Sequence, residues 1–590
     1  MHVVIHAFMS RLLIIASVCA AAASPGYAQS ANAGVCARPA PGSELTEPKD
    51  LRSRDGELSL DLSLRDSREP DGSIRYCYVL PDGSQSPTLR LRPGDTLVLR
   101  LKNELLDLDI PSADPAVTQT DTHKAATDPC LSGAMSSIST NLHFHGLTVP
   151  ARCHQDEVLK TSIQPTDPPF EYRVKIPADE PPGLYWYHPH IHGFSSKEVS
   201  GGASGALIIE GLERANREVL GLPERVLVIR DQDLLNPSAP PSKSEPVVPK
   251  PVLDSDGDSG NNNTGYGKPA KDLSVNYVSV PYPDYPPASM KIKPGERQLW
   301  RVLNASSVTY LHLALLYDHI PQQFGVVAID GVSINVSGQG ARDIAWVDHV
   351  GVPPGGRVEF VMQGPPPGVT GLLITRSVDT GQAGENDPNR PLVAVVASAD
   401  APKTNSTLAA TAQPLPPTSV PWLGNVTPVR VRKMFFSETP SDPSDPKSPT
   451  VFFITQDGQT PKPFDPNSTT PDIVVKQGDV EDWIIENRSV ELHAFHIHQL
   501  HFLLLDWFGL PVNEPFLRDT VNVPYFDNHM LSYPSVRLRM DFRDANTVGS
   551  FAFHCHLLEH EDGGMMGIIR VDPAGAKEPQ TRVSRRANQR

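Results

Sequence analysis

Three times along this chain the same phrase recurs, and the recurrence restricts the fold more than any other feature. Leu89 to Asn103 reads LRLRPGDTLVLRLKN, Met290 to Asn304 reads MKIKPGERQLWRVLN, and Ile473 to Asn487 reads IVVKQGDVEDWIIEN. Each copy is an alternating stretch, a Gly-Asp or Gly-Glu turn, and a second stretch ending in Asn, the signature of two strands around a tight turn. Spacings of about 200 and 183 residues predict three β-rich domains in tandem. The endings repeat too. GLYWYHPH (183–190) runs into GALIIE (205–210), and GSFAFHCH (549–556) into GIIRV (567–571). The middle unit has GLLITR (371–376) and PLVAVV (391–396) with no histidine between them. Proline supplies 60 of 590 residues, about twice the usual share. Since proline breaks helix interiors and central strands, a helical bundle or coiled coil is excluded in favour of short strands with long connections.

The first 28 residues predict a secretory signal. Arg11 is the only formal charge, Leu12 to Ala23 is apolar, and Gly26-Tyr27-Ala28 is a small-x-small cleavage site. No Arg-Arg pair precedes the apolar run, and no later apolar run is long enough to span a bilayer. The expected product is exported to a periplasm or secreted, cleaved near Ala28, not inserted in a membrane, and monomeric. Losing Arg11 takes the net charge from −16 to −17, which repels nucleic acid and suits solubility. Cys36, Cys77, Cys130 and Cys153 lie in the first quarter and are free to oxidise after export. Of their three pairings, Cys36–Cys77 with Cys130–Cys153 is favoured. Cys555 is left over, between two histidines.

The connections read as linkers. Residues 237–270 form a Pro/Ser/Asn/Asp-rich surface insertion, 400–425 a second link, and 574–590 a frayed basic tail. Asp254, Asp256 and Asp258 hint at a calcium loop, but Ser259 replaces its glycine and Gly265 its closing glutamate. Ten of the twenty histidines fall into four clusters: NLHFHG (His143, His145), YWYHPH (His188, His190), HAFHIH (His493, His496, His498) and HCHLLEH (His554, His556, His560). In a strand, residues i and i+2 face the same side, so each H-x-H presents two imidazoles together. Four such pairs suit a shared polymetal site. Cys555 must then point away from His554 and His556, where His493, of opposite parity to His496 and His498, can join it. His560 and Met565 follow closely enough to fold back over the sulfur, completing a Cys, two His and axial Met blue-copper set. A structural zinc has no use for eight ligands on one face.

These four clusters resemble the copper signatures of the multicopper oxidases, over roughly residues 50–575. The resemblance implies an all-β chain of three tandem cupredoxin-like Greek-key β-sandwich domains. They would cover 36–212, 213–400 (carrying the 237–270 insertion and no copper ligands) and 425–573. It implies four coppers per chain. Cys555, His493 and His560 would hold type 1 copper, with Met565 axial, and His143 and His496 would hold type 2. His145, His188, His190, His498, His554 and His556 would hold the type 3 pair. By this likeness, single electrons from a small reducing substrate, a phenol or aromatic amine, reach a trinuclear cluster through Cys555 and its neighbours and reduce dioxygen to water. The alternative donor is a metal ion, Cu(I), Mn(II) or Fe(II). The eight methionines after the signal are scattered and none lies in the insertion, unlike the methionine-rich insertion of cuprous specialists. Glu561 matches a proton-supplying acid of the family. Asp156 and Glu157 are candidates for a second, with spacing slightly favouring Glu157. His192 is expected near the sites without ligating, Met566 in packing, and Trp186, Phe495 and Phe502 in the core.

Overall fold

The computed structural model describes residues 34–576 apart from 70–71, 107, 109–127, 132–134, 244–252, 254–257, 339–341, 403–405, 417–419 and 446–447. The signal segment, most of the basic tail, Asp254 and Asp256 therefore lie outside the described residues, as does part of the insertion.

Nearly all regular structure is strand, arranged in six sheets that pair in chain order into three sandwiches. The repeated phrase occupies the same place in each. Its first half (Thr88–Leu91, Ala288–Ile292, Ile473–Lys476) pairs in parallel with the last strand of its sandwich, Gly205–Ile209, Arg390–Ala397 or Met566–Asp572. Its second half (Thr96–Glu104, Arg297–Asn304, Val480–Asn487) crosses to the other sheet and pairs in parallel with Glu57–Arg68, Glu224–Gln232 or Arg430–Pro440. The turn between the halves needs a left-handed residue, and Gly94, Gly295 and Gly478 supply it at φ 89°, 69° and 101°. The terminal asparagine explains itself as well. Asn103, Asn304 and Asn487 are fully buried. Each donates from Nδ2 to two backbone carbonyls and accepts from the backbone N–H two residues on, tying the connection that follows to the sheet.

Alternating apolar residues from the two sheets of each sandwich meet in a core: Leu58 to Leu64 with Tyr185 and Leu207 in the first, Trp300 with Leu313 and Leu373 in the second, Trp483 with Phe495 and Phe553 in the third. Burying one such side chain stabilises by roughly 1.5–3 kcal/mol. The first sandwich is also stapled by disulfides Cys36–Cys77 and Cys130–Cys153, the expected pairing, and Cys555 is free and buried.

The first and third sandwiches meet through two short helices, Ser195–Ser200 and Leu558–Asp562. Asp562 accepts the backbone N–H groups of Gly193 (2.8 Å), Ser195 (3.2 Å) and Ser196 (2.9 Å), closing a seam that carries the histidines. Among the described residues no helix is long and apolar enough to cross a membrane.

Candidate metal centres

The first centre is built by one sandwich. Strands His493–Ile497 and Gly549–Cys555 pair antiparallel with Phe495 opposite Cys555, and the helix after the second strand supplies His560. Cys555 Sγ lies 3.6 Å from His493 Nδ1 and 3.8 Å from His560 Nδ1, and the two nitrogens are 3.1 Å apart. The outer nitrogens are engaged elsewhere: His493 Nε2 with Ser489 Oγ at 2.7 Å, His560 Nε2 with the Glu491 carboxylate at 3.3 Å. Phe452 stacks on His560 with centroids 4.1 Å apart. Met565 folds back as the spacing predicts. Its N–H donates to the His560 carbonyl (2.8 Å), its carbonyl accepts from Cys555 N–H (3.1 Å), and its side chain is buried in the apolar cluster that holds Cys555.

The second centre lies at the seam. His143–His145 and Gly183–His188 pair so that His143 sits opposite His188, and in the third sandwich His496 sits opposite His554. The two sandwiches then lay their imidazoles against each other: His143 stacks on His498 at 3.8 Å between centroids and His145 on His496 at 3.9 Å. Their nitrogens gather into three sets, each within 4.8 Å: His143, His145 and His496; His145, His188 and His556; His190, His498 and His554. His190 Nε2 and His554 Nε2 are 3.4 Å apart, His498 Nε2 and His554 Nε2 3.2 Å, and His145 Nδ1 and His556 Nε2 3.3 Å.

Several rings are pinned from behind, which selects the nitrogen that faces inward. His188 Nδ1 meets the Pro189 carbonyl (2.9 Å), His554 Nδ1 the Cys555 carbonyl (2.9 Å), and His496 Nδ1 the Asp519 carbonyl (2.8 Å). The inward Nε2 atoms of His143, His188 and His496 are buried with no hydrogen-bond partner. Burial holds His145, His188, His190, His496, His498 and His556 well below the ordinary imidazole value and His554 at about 3, so these rings are neutral with lone pairs free to bind. Buried neutral imidazoles converging on one seam fit metal ions, and the cysteine sulfur of the first centre adds the preference for copper.

The carboxylates divide unequally. Glu561 is fully buried, with Oε1 3.5 Å from His190 Nδ1 and Oε2 3.3 Å from His554 Nδ1, and Ser195 Oγ donates to it at 3.3 Å. Burial, reinforced by Asp562, pushes Glu561 well above the usual carboxyl range. Asp156 is buried against His143 Nδ1 (3.0 Å), accepts Phe144 N–H (2.8 Å) and is reached by Gln499. Glu157, favoured by spacing, turns the other way and caps its own loop through Lys160 N–H (3.2 Å) and Thr161 N–H and Oγ1 (both 2.8 Å). Of the two adjacent acids, the histidine cluster therefore has Asp156. The reason is local. His154 takes a positive φ of 65°, and Asp156 N–H donates back to Pro150, which reverses the loop and directs the first acid inward.

Two family models describing multicopper oxidases match residues 135–214 and 443–575, and these segments hold every candidate ligand in both centres. The chain belongs to the multicopper oxidase family. It is 24% identical to a Staphylococcus aureus multicopper oxidase over 82% of this chain and 81% of that one. Its fold matches the solved McoA multicopper oxidase of Aquifex aeolicus (TM-score 0.61, 20% identity, 90% of this chain and 99% of that). It also matches a Campylobacter jejuni multicopper oxidase described as a metallo-oxidase (TM-score 0.58, 22% identity, 91% and 96%). Multicopper oxidases of this build carry cupredoxin sandwiches, in agreement with the three described here.

The flanking residues lie mostly as the sequence predicts. Trp186 stacks on His188 at 4.1 Å, Phe495 and Phe502 are buried in the third core, Met566 is buried, and His192 packs on Phe464 outside the three nitrogen sets. Sequence reasoning missed Asp519, Arg357 and Asp330 altogether. Asp519 Oδ1 lies 3.1 Å from His145 Nε2 and accepts Arg357 Nη1 at 2.7 Å, while Oδ2 accepts Nη2 at 2.6 Å. None stands in a histidine motif, and only a long-range contact reveals them.

Proposed function

We propose that this multicopper oxidase couples one-electron oxidation of a small reducing substrate, a phenol or aromatic amine, to four-electron reduction of dioxygen to water. The carrying observation is Cys555: its sulfur meets His493 and His560 while its covalent neighbours, His554 and His556, face the eight-imidazole cluster. Cys555, His493, His560 and Met565 would hold type 1 copper; His143 and His496 type 2; and His145, His188 and His556, with His190, His498 and His554, the type 3 pair. When bound, copper supplies single-electron acceptance at the first centre and dioxygen reduction at the second.

The chain's own residues do the rest. Cys555 joins the two ligand sets by one peptide link on each side, no more than about 3.6 Å of chain per residue. Glu561, protonated by burial and in contact with two cluster rings, holds a proton beside the dioxygen site. Asp156 orients His143 through Nδ1. Apolar packing around Cys555 and Met565 keeps water from the sulfur. The signal segment supports export to a periplasm or the exterior, in keeping with two disulfides.

One feature favours a metal ion as donor instead. Glu491 faces His560 Nε2 at 3.3 Å, and Glu438 is hydrogen-bonded to Glu491. Carboxylates suit hard cations, and the Campylobacter neighbour is described as a metallo-oxidase. Oxygen uptake by the copper-loaded protein, with a phenol, an aromatic amine, Cu(I), Fe(II) and Mn(II) in parallel, separates the readings. Rapid turnover of the organic donors supports the first. Negligible organic turnover beside rapid metal oxidation transfers the assignment to the second, and no oxygen uptake with any donor defeats both.

A further inference from the structure

We propose that the middle sandwich, which contributes no candidate ligand, sets the geometry of the eight-imidazole centre through Arg357, a positioning residue that reaches the cluster by way of Asp519. The inference rests on the reading of that centre as copper-binding.

Arg357 opens strand Arg357–Gln363 of the middle sandwich and is completely buried. Four of its side-chain N–H donors serve all three sandwiches. Nε donates to the Leu184 carbonyl of the first (3.1 Å), Nη1 to the Gly355 carbonyl of its own (3.1 Å), and Nη1 and Nη2 to the two carboxylate oxygens of Asp519 in the third (2.7 and 2.6 Å). Its backbone N–H donates to Asp330 Oδ1 (2.9 Å), and Asp330 Oδ2 in turn accepts Asp519 N–H at 3.3 Å. Asp519 is therefore held at its carboxylate and its backbone by two residues of the middle sandwich.

What Asp519 does with that rigidity is specific. Its carboxylate meets His145 Nε2 at 3.1 Å, which leaves His145 Nδ1 for the ring set containing His188 and His556. Its backbone carbonyl meets His496 Nδ1 at 2.8 Å, leaving His496 Nε2, buried and unpartnered, for the set containing His143. One residue thus fixes the orientation of a ring in each of two nitrogen sets. A guanidinium fork suits the task because it fixes a carboxylate in plane and rotation, where an ammonium fixes only a distance.

The same loop presses on the cluster directly. Gly355, at φ 80°, passes so close to His556 that a Cβ there would stand 2.6 Å from Nε2. On the opposite side, a Cβ on Gly146 would stand 2.5 Å from Arg357 Nη2 and 2.7 Å from Asp519 Oδ2. Both glycines mark backbone packed too tightly for any side chain, one on the ring and one on the fork.

The test uses the full-length copper-loaded protein with Arg357→Met, Arg357→Lys and the exposed control Arg376→Met. The readouts are copper per chain, the type 2 resonance in electron paramagnetic spectra, and the thiolate-to-copper colour of the first centre. Loss of an outer partner costs metal sites roughly 10- to 100-fold in affinity or activity. Arg357→Met is expected to keep the colour, weaken copper at the cluster by that factor, and alter the type 2 splitting. Arg357→Lys should recover copper content more than type 2 splitting, since charge returns without the fork. The inference is overturned if Arg357→Met carries wild-type copper with an unchanged type 2 spectrum. Should Arg357→Met not fold, a wild-type spectrum in Arg357→Lys overturns it equally. A wild-type protein with no type 2 resonance would instead refute the copper assignment beneath it.

Discussion

The two centres are assembled from the same residue type at opposite levels of structure. The Cys555 centre is closed by two neighbouring strands and one following helix of a single sandwich, with His493, Cys555 and His560 within 68 residues of each other. The eight-imidazole centre exists only when two sandwiches meet, and it is braced by a third. Short-range assembly completes the first centre within one sandwich, although His560 rides on the helix whose Asp562 closes the seam. Assembly across a seam makes the second sensitive to residues far from any ligand. The middle sandwich touches the first centre too, since Ser307 accepts Leu558 N–H (2.8 Å) and Tyr310 donates to the Leu492 carbonyl (2.8 Å). Those contacts are backbone moorings and orient no ring.

The comparison breaks most visibly at Cys555. Cys555→Ser should abolish the thiolate colour and turnover outright, because a hydroxyl is a poor soft-metal ligand, while the type 2 resonance persists. Loss of both signals together would mean that the centres are not independent. Glu561→Gln keeps the shape but removes the proton, and general-acid loss is worth roughly 10²- to 10⁴-fold. Rapid-mixing spectroscopy should show type 1 reduction unchanged and reoxidation by dioxygen slowed by that factor. Next in size is the contrast between adjacent acids. Asp156→Asn should cost roughly 10- to 100-fold in oxygen turnover, whereas Glu157→Gln should alter loop stability and leave turnover near wild type. Equal losses would dissolve the distinction between them.

Acid acts on stability rather than on turnover. Burial holds His554 at about 3 against an unfolded value near 6.5, so folding requires a neutral ring that the unfolded chain is free to protonate. Stability of the copper-free protein is therefore full above pH 6.5 and falls as the pH drops from there toward 3, the neighbouring rings adding in the same direction. Melting temperature followed across that range checks it. The loss should shrink when copper is bound, since metal and proton compete for the same nitrogens.

Much of this was legible because strand parity is a local rule. The i, i+2 spacing of His496 and His498, the opposite parity of His493, and the thiol between His554 and His556 divide the ligands into two sets before any tertiary contact is known. The repeated Gly-turn and closing Asn were legible as a unit, and the structure supplies the reason in three matching sets of buried Asn hydrogen bonds. The choice between Asp156 and Glu157 was not legible: spacing along a loop does not say which acid turns inward, because the backbone reversal at His154 decides it.

By itself, then, the chain determined the sandwiches, the paired histidines and the two-sided cysteine, since all three follow from alternation within a few residues of one strand. Tertiary structure alone decided which acid faces the cluster and that the middle sandwich grips Asp519. Arg357 and Asp519 are 162 residues apart. No periodicity connects them, and their meeting exists only where three packed sandwiches exclude water and bring a buried carboxylate onto a buried guanidinium.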